Sequence, residues 1–136
     1  MLKRTIKFTD YNGVERTEEH YFNLTKAEVA EMQMTVSGGL DGALQRMLDA
    51  QDGPEMFKFY KEFILKAYGR KSPDGRKFEK TEELRADFLA TEAYSDLFME
   101  LCTDGKAAAQ FVMGVLPAEM VNAAKESGQL PAEFLG

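Results

Sequence analysis

The chain predicts an α+β fold, mostly α: an N-terminal β-hairpin followed by six or seven short helices in a compact bundle. Three observations carry this. The first 22 residues alternate in polarity around Asn12-Gly13. After Phe22 the apolar spacing changes from two to three and four. Helix-start and helix-stop residues then recur as far as Gly128. The 136 residues, 44 % of them hydrophobic, suit one packed domain. We place it at 1–128, with the hairpin in 1–24, the helical part in 25–128 and a flexible C-terminal tail at 129–136.

In the first strand, Leu2, Ile6 and Phe8 share a face that Arg4 interrupts. Asn12-Gly13 is a strong hairpin signal, because both residues tolerate the positive φ of a type I′ turn. The second strand sets Val14, Arg16, Glu18, His20 and Phe22 on one side, and neither of its faces is fully apolar. An isolated hairpin is marginal in water, so this one must pack on its own helices or on a partner.

Thr25 and Glu28 form a capping box, with Leu24 and Val29 placed as a hydrophobic staple. A first helix is expected from there to about Thr35, before "SGG" at 37–39. A second helix carries Leu40, Ala43, Leu44, Met47 and Leu48 on one stripe. The third opens at Gly53-Pro54, proline being tolerated at a first helical position. Its wide apolar face, from Met56 to Tyr68, belongs at the centre of a core or continues into an interface. Gly69 is its expected C-terminal stop. Thr81 caps a helix with Leu84, Phe88 and Leu89, and Thr91 either caps another or lies in a bend. That next stripe is Ala93, Tyr94, Leu97, Phe98, Leu101 and Cys102. Asp104-Gly105 ends that helix, "DGKAAAQFVMGVL" is a short helix of strong propensity, and Pro117 opens one more. "LPAE" occurs at 116–119 and again at 130–133, either by chance or because the tail is a docking peptide.

Composition argues against several functions. The net charge of −6 repels nucleic acid and anionic membranes. One cysteine allows no intramolecular disulfide, and no apolar run reaches the length of a signal peptide or a membrane span. A soluble cytosolic protein is expected. His20 is the single histidine, so a triad or a histidine-based metal site has little to build on. Cys102 sits on an apolar stripe with nothing nearby to lower its pKa. "SGGLDG" lacks the lysine and spacing of a phosphate loop, and "SPDGRKFEKTEE" lacks alternating calcium ligands. We therefore expect no enzyme, no catalytic residue, no cofactor and no metal.

"YGRKSPDGRKFEKTEE", residues 68–83, crowds Arg70, Lys71, Arg76, Lys77 and Lys80 around a Pro-Asp-Gly turn. Against Asp74 and Glu79 they leave +3 over 69–80, so the rest of the chain carries −9. Arg70 and Lys71 follow the third helix, where a cation meets the negative end of the helix dipole. A solvated loop is favoured over a phosphate or nucleic-acid site, because only Phe78 offers stacking nearby. The sharper alternative is an electrostatic contact of Arg76 and Lys77 with an acidic neighbour, such as a second copy.

Four blocks together carry a resemblance: "DYNGVERTEEHYFNLTKAEV" (10–29), "SGGL" (37–40), "ILKAYGRKSPDGRKF" (64–78) and "TEAYSDLFMELCTD" (91–104). In this order the chain resembles the tail assembly chaperones of long-tailed phages and prophages, over about residues 5–115. The resemblance implies partners. Such chaperones coat the helical tape measure protein, help the tail tube protein polymerise around it, often through a longer frameshifted form, and leave before the virion is complete. It also implies the host bacterial cytoplasm. A chaperone for a long helix needs an apolar groove. The third and fifth predicted helices are its candidate walls, with Phe57, Tyr60, Phe63, Tyr94 and Phe98 as candidate anchors, although core packing explains the same positions. Self-association through the hairpin edge is a further expectation. Two alternatives come from other classes: a structural tail or connector component, which would persist in virions, and a host-directed acidic regulator, which would recover a host enzyme in pull-downs.

Overall fold

The computed structural model describes residues 1–35, 42 and 53–127. The predicted second helix and the tail lie outside them. Strands β1 (Leu2–Thr9) and β2 (Glu15–Phe22) form the expected hairpin, paired through all eight residues from Leu2↔Phe22 to Thr9↔Glu15. Leu2, Ile6 and Phe8 turn to the core as the alternation requires. Arg4, on the same face, reaches over to Glu100.

The turn differs from expectation. Asp10 O accepts from Gly13 N at 3.0 Å, and Asp10 N donates to Val14 O at 2.8 Å. The central residues are therefore Tyr11 and Asn12, and Gly13 follows them at φ 79°. Asp10 overrides the Asn-Gly signal. Its carboxylate accepts from Asn12 N and Val14 N, both at 2.9 Å, and from Arg16 Nε at 2.6 Å.

The stretch 69–80 is a second hairpin rather than a loop. Strand β3 (Tyr68–Lys71) pairs with β4 (Phe78–Glu79), and β2 pairs with β3, giving a four-stranded sheet in the order β1-β2-β3-β4. "SPDG" turns as "DYNG" does: Gly75 N donates to Ser72 O at 2.9 Å and Gly75 has φ 74°. Gly69 is not a helix stop. It lies inside β3, where an added Cβ would meet the Phe78 ring at 2.5 Å and Glu79 O at 2.7 Å. The dipole account of Arg70 and Lys71 falls with it, since both residues are in the strand.

Six helices are described: α1 (Lys26–Thr35), α2 (Gly53–Ala67), α3 (Glu82–Leu89), α4 (Glu92–Thr103), α5 (Gly105–Val115) and α6 (Ala118–Ser127). Their starts follow the sequence signals. Thr25 N donates to Glu28 Oε1 at 2.9 Å while Glu28 N donates to Thr25 Oγ1 at 3.2 Å, a reciprocal box. The staple residues Leu24 and Val29 are both buried. Thr81, Thr91 and Asp104 cap α3, α4 and α5, so Thr91 is a cap rather than a bend. Among the described residues α4 is the central helix, touching β1, α2, α3 and α5, and α5 also lies against β1.

The elements are tied where the chain changes direction. Asn23 N donates to Ala67 O at 2.8 Å, continuing the β2–β3 register. Arg85 Nε donates to Leu65 O at 2.8 Å, satisfying a carbonyl at the end of α2. Lys80, its side chain 11 % exposed, bonds Asn23 O at 2.6 Å and Glu28 Oε2 at 2.7 Å.

Candidate apolar binding face

The aromatic side chains form one connected series. From the surface inward, Phe57 lies 6.1 Å from Phe98, Phe98 5.9 Å from Tyr94, and Tyr94 5.9 Å from Phe88. Phe88 stacks on Tyr68 at 4.2 Å and meets the edge of Phe22, and Phe22 meets Phe111 at 5.1 Å. Phe111 lies 6.1 Å from Phe63, which leads through Phe59 to Tyr60. Tilted and edge-on rings at these separations attract one another beyond the area they bury.

The five candidate anchors all belong to this series but occupy different depths. Phe63 is 2 % exposed and Tyr60 6 %, so both are core residues of the free chain. Tyr94 and Phe98 are half-buried. Phe57 is 51 % exposed, on the outer side of α2 where it faces Phe98 of α4. The structure thus brings Phe57, Phe98 and Tyr94 together at the α2–α4 seam and withdraws Tyr60 and Phe63 beneath it. Met99, at 53 % exposed, flanks Phe98 on α4 and was absent from the sequence-derived set. It lies off the apolar stripe, on the solvent side of α4, where periodicity is silent. The signal for it was the eight methionines, suited to adaptable apolar surfaces.

The titratable groups near this face favour packing over chemistry. Burial pushes the Cys102 thiol above its ordinary value, which disfavours the thiolate. Burial, and then the neighbouring Cys102, raise Tyr60 and Tyr94. His20 is tied within the sheet layer, its ring 4.8 Å from Phe88. With its proton on Nε2 it donates to Glu18 Oε1 at 3.1 Å and accepts from the Tyr68 hydroxyl at 3.4 Å. Among the described residues no cluster of three or more His, Cys, Asp or Glu could hold a metal ion. Among them, too, no helix is long and apolar enough to cross a membrane.

The five bases of residues 69–80 divide into two groups. Arg70 pairs with Glu79 directly across β3–β4, with Nη2 to Oε2 at 2.9 Å. Lys71 lies over the Tyr21 ring at 5.3 Å, and Lys80 is the largely buried clamp on Asn23 and Glu28. Arg76 and Lys77 remain exposed after the turn. Their backbone N–H groups are used by the turn, donating to Asp74 Oδ1 and Ser72 Oγ.

No curated protein and no solved structure matches the chain significantly. A family model described as "Phage tail assembly chaperone" matches residues 1–133. That match spans both hairpins and all six described helices, including α6 beyond the earlier resemblance. The chain belongs to the phage tail assembly chaperone family, and its partners are in general those of phage tail assembly.

Proposed function

We propose that this protein binds the tape measure protein through the α2–α4 seam, with Phe57, Phe98 and Tyr94 as the contact residues. The observation that carries this reading is the exposed end of the aromatic series: Phe57 stands half in solvent on a ring that is otherwise in contact with the protein. An aromatic held on one side and free on the other presents large apolar area at little entropic cost. An amphipathic helix of the tape measure would lay its apolar stripe along the seam, in the helix-in-groove mode.

In this reading the protein is a binding protein and not an enzyme. It keeps the tape measure soluble in the host cytoplasm while tail tube protein assembles around it, then departs. A longer frameshifted product would recruit the tube protein, and several copies would line one tape measure. Two measurements test the reading. Co-expression should raise the soluble fraction of tape measure fragments, and mass spectrometry of purified virions should detect no peptide of this chain. Persistence in virions at tube-like copy number would favour a structural tail component instead.

A further inference from the structure

Among the described residues, strand β2 has one edge fully paired and one mostly without a strand partner. Its pairing with β1 runs through all eight residues, whereas its pairing with β3 covers only Tyr21 and Phe22. Beyond these, Arg70 and Lys71 turn away to pair with Glu79 and Phe78. Among the described residues, no strand pairs with the β3 side of residues 15–20. Alternate residues of such an edge aim N–H and C=O groups outward, ready for another strand.

A trough runs beside this edge. At the fork between β2 and β3 lies a cleft of about 470 Å³, lined by Glu18, His20, Tyr68 and Leu84 among others. Near the tip of the first hairpin a second cleft, of about 330 Å³, opens against Ala90, Thr91 and Glu92. Glu18 lines both clefts, the second of which also reaches Phe8 of β1 across the inner face of the hairpin. The edge is acidic. Glu15, Glu18 and Glu19 lie on the strand, and Glu92 lies across from it. Arg16 is engaged by Asp10 and Arg70 by Glu79, while Glu18 meets His20 and Glu19 meets Lys3.

The molecule itself shows what kind of strand suits β2. On the paired edge sits β1, "LKRTIKFT", with three bases, no acid and apolar residues at alternate positions. Lys3 of β1 reaches Glu19 at 3.7 Å. A strand on the bare edge would meet the same glutamates.

We propose that the free edge of β2 over Glu15–His20 receives an extended segment of a partner protein, one that alternates Lys or Arg with apolar residues, as an added strand. The six residues offer room for a segment about 20 Å long. This site is separate from the α2–α4 seam and does not depend on it. Main-chain hydrogen bonds would hold the segment, the glutamates would select its charge, and the trough beside Leu84 would take its inward apolar side chains.

The test is fluorescence anisotropy with a labelled eight-residue peptide alternating lysine and valine. The wild-type chain should bind it saturably, and the Glu15→Lys/Glu19→Lys variant about tenfold or more weakly, which is about 1.4 kcal/mol. Both glutamates are exposed, so the variant should keep the wild-type Tm. A peptide N-methylated at alternate residues keeps its charge but not its strand hydrogen bonds, and it should not bind. Amide exchange within residues 15–20 should slow when the unmodified peptide is present. Four results would overturn the proposal: no saturable binding, equal binding of the methylated peptide, equal binding by the variant, or a self-associated chain that the same variant dissociates. The last would assign the edge to a second copy.

Discussion

The two ends of the aromatic series are built from the same residue types and serve different ends. At the inner end, Phe22, Phe63, Phe88 and Phe111 are each at most 2 % exposed and touch rings from β2, α2, α3 and α5. At the outer end, Phe57 meets only Phe98 among the described rings and is half in solvent. Removing a ring from the first group leaves a void that close-packed neighbours cannot fill. Removing Phe57 loses one ring contact and opens space that solvent already half occupies. Aromatic content therefore does not mark a binding face. What marks one is a ring whose loss would be nearly free for folding.

That contrast can be broken or sharpened by mutation, starting with the largest effect. Phe111→Ala should destabilise the fold by about 3–5 kcal/mol in chemical denaturation. A loss below about 1 kcal/mol would mean that the inner end is not close-packed. Gly69→Ala should cost about 1–3 kcal/mol, because its Cβ would strike Phe78 and the Glu79 carbonyl and displace the second hairpin under Tyr68. Thr25→Ala should cost about 1 kcal/mol through the lost cap.

A pH effect is smaller and has a definite sign. Burial works against ionisation of Glu28, but hydrogen bonds from Lys80 and Thr25 outweigh it and hold the carboxyl below its ordinary value of 4.5. Stability from this group is present above that value and is lost as pH falls through the lowered one. Burial also lowers the pKa of Lys80 despite its bond to Glu28, so the pair is a clamp with a desolvation cost. Thermal melts from neutral pH downward should therefore be less acid-sensitive in Glu28→Gln than in wild type. The smallest effect is expected from Arg76→Glu/Lys77→Glu, which should change stability by less than about 0.5 kcal/mol. Retained self-association and partner binding in that variant would leave the second hairpin as a framework element.

The sequence made much of this visible because the relevant signals were local. Capping chemistry at Thr25 and Thr81, proline at the start of α2 and the alternation of β1 all act within a few residues. The second hairpin was missed for a related reason. Four- and two-residue strands have too few positions to show a period, and their pairing with β2 is fixed by contacts some 47 residues away in sequence. Gly69 looked like a helix stop because a glycine following an apolar helix suits both roles, and only the Phe78 ring decides between them. The same limit applied to the binding face. Periodicity put Phe57, Tyr60 and Phe63 on one broad stripe of α2, and only the packing of α4 and α5 on it separated the exposed ring from the buried ones.

The central claim is that the outer end of the series is the contact for the tape measure helix. Isothermal titration of purified tape measure fragments against wild type and Phe57→Ser tests it most directly, with a melt of each protein alongside. Truncating such an anchor should weaken binding by about 2 kcal/mol or more while stability stays within about 0.5 kcal/mol of wild type. Unchanged affinity for every fragment that wild type binds, in a variant that folds normally, would contradict it.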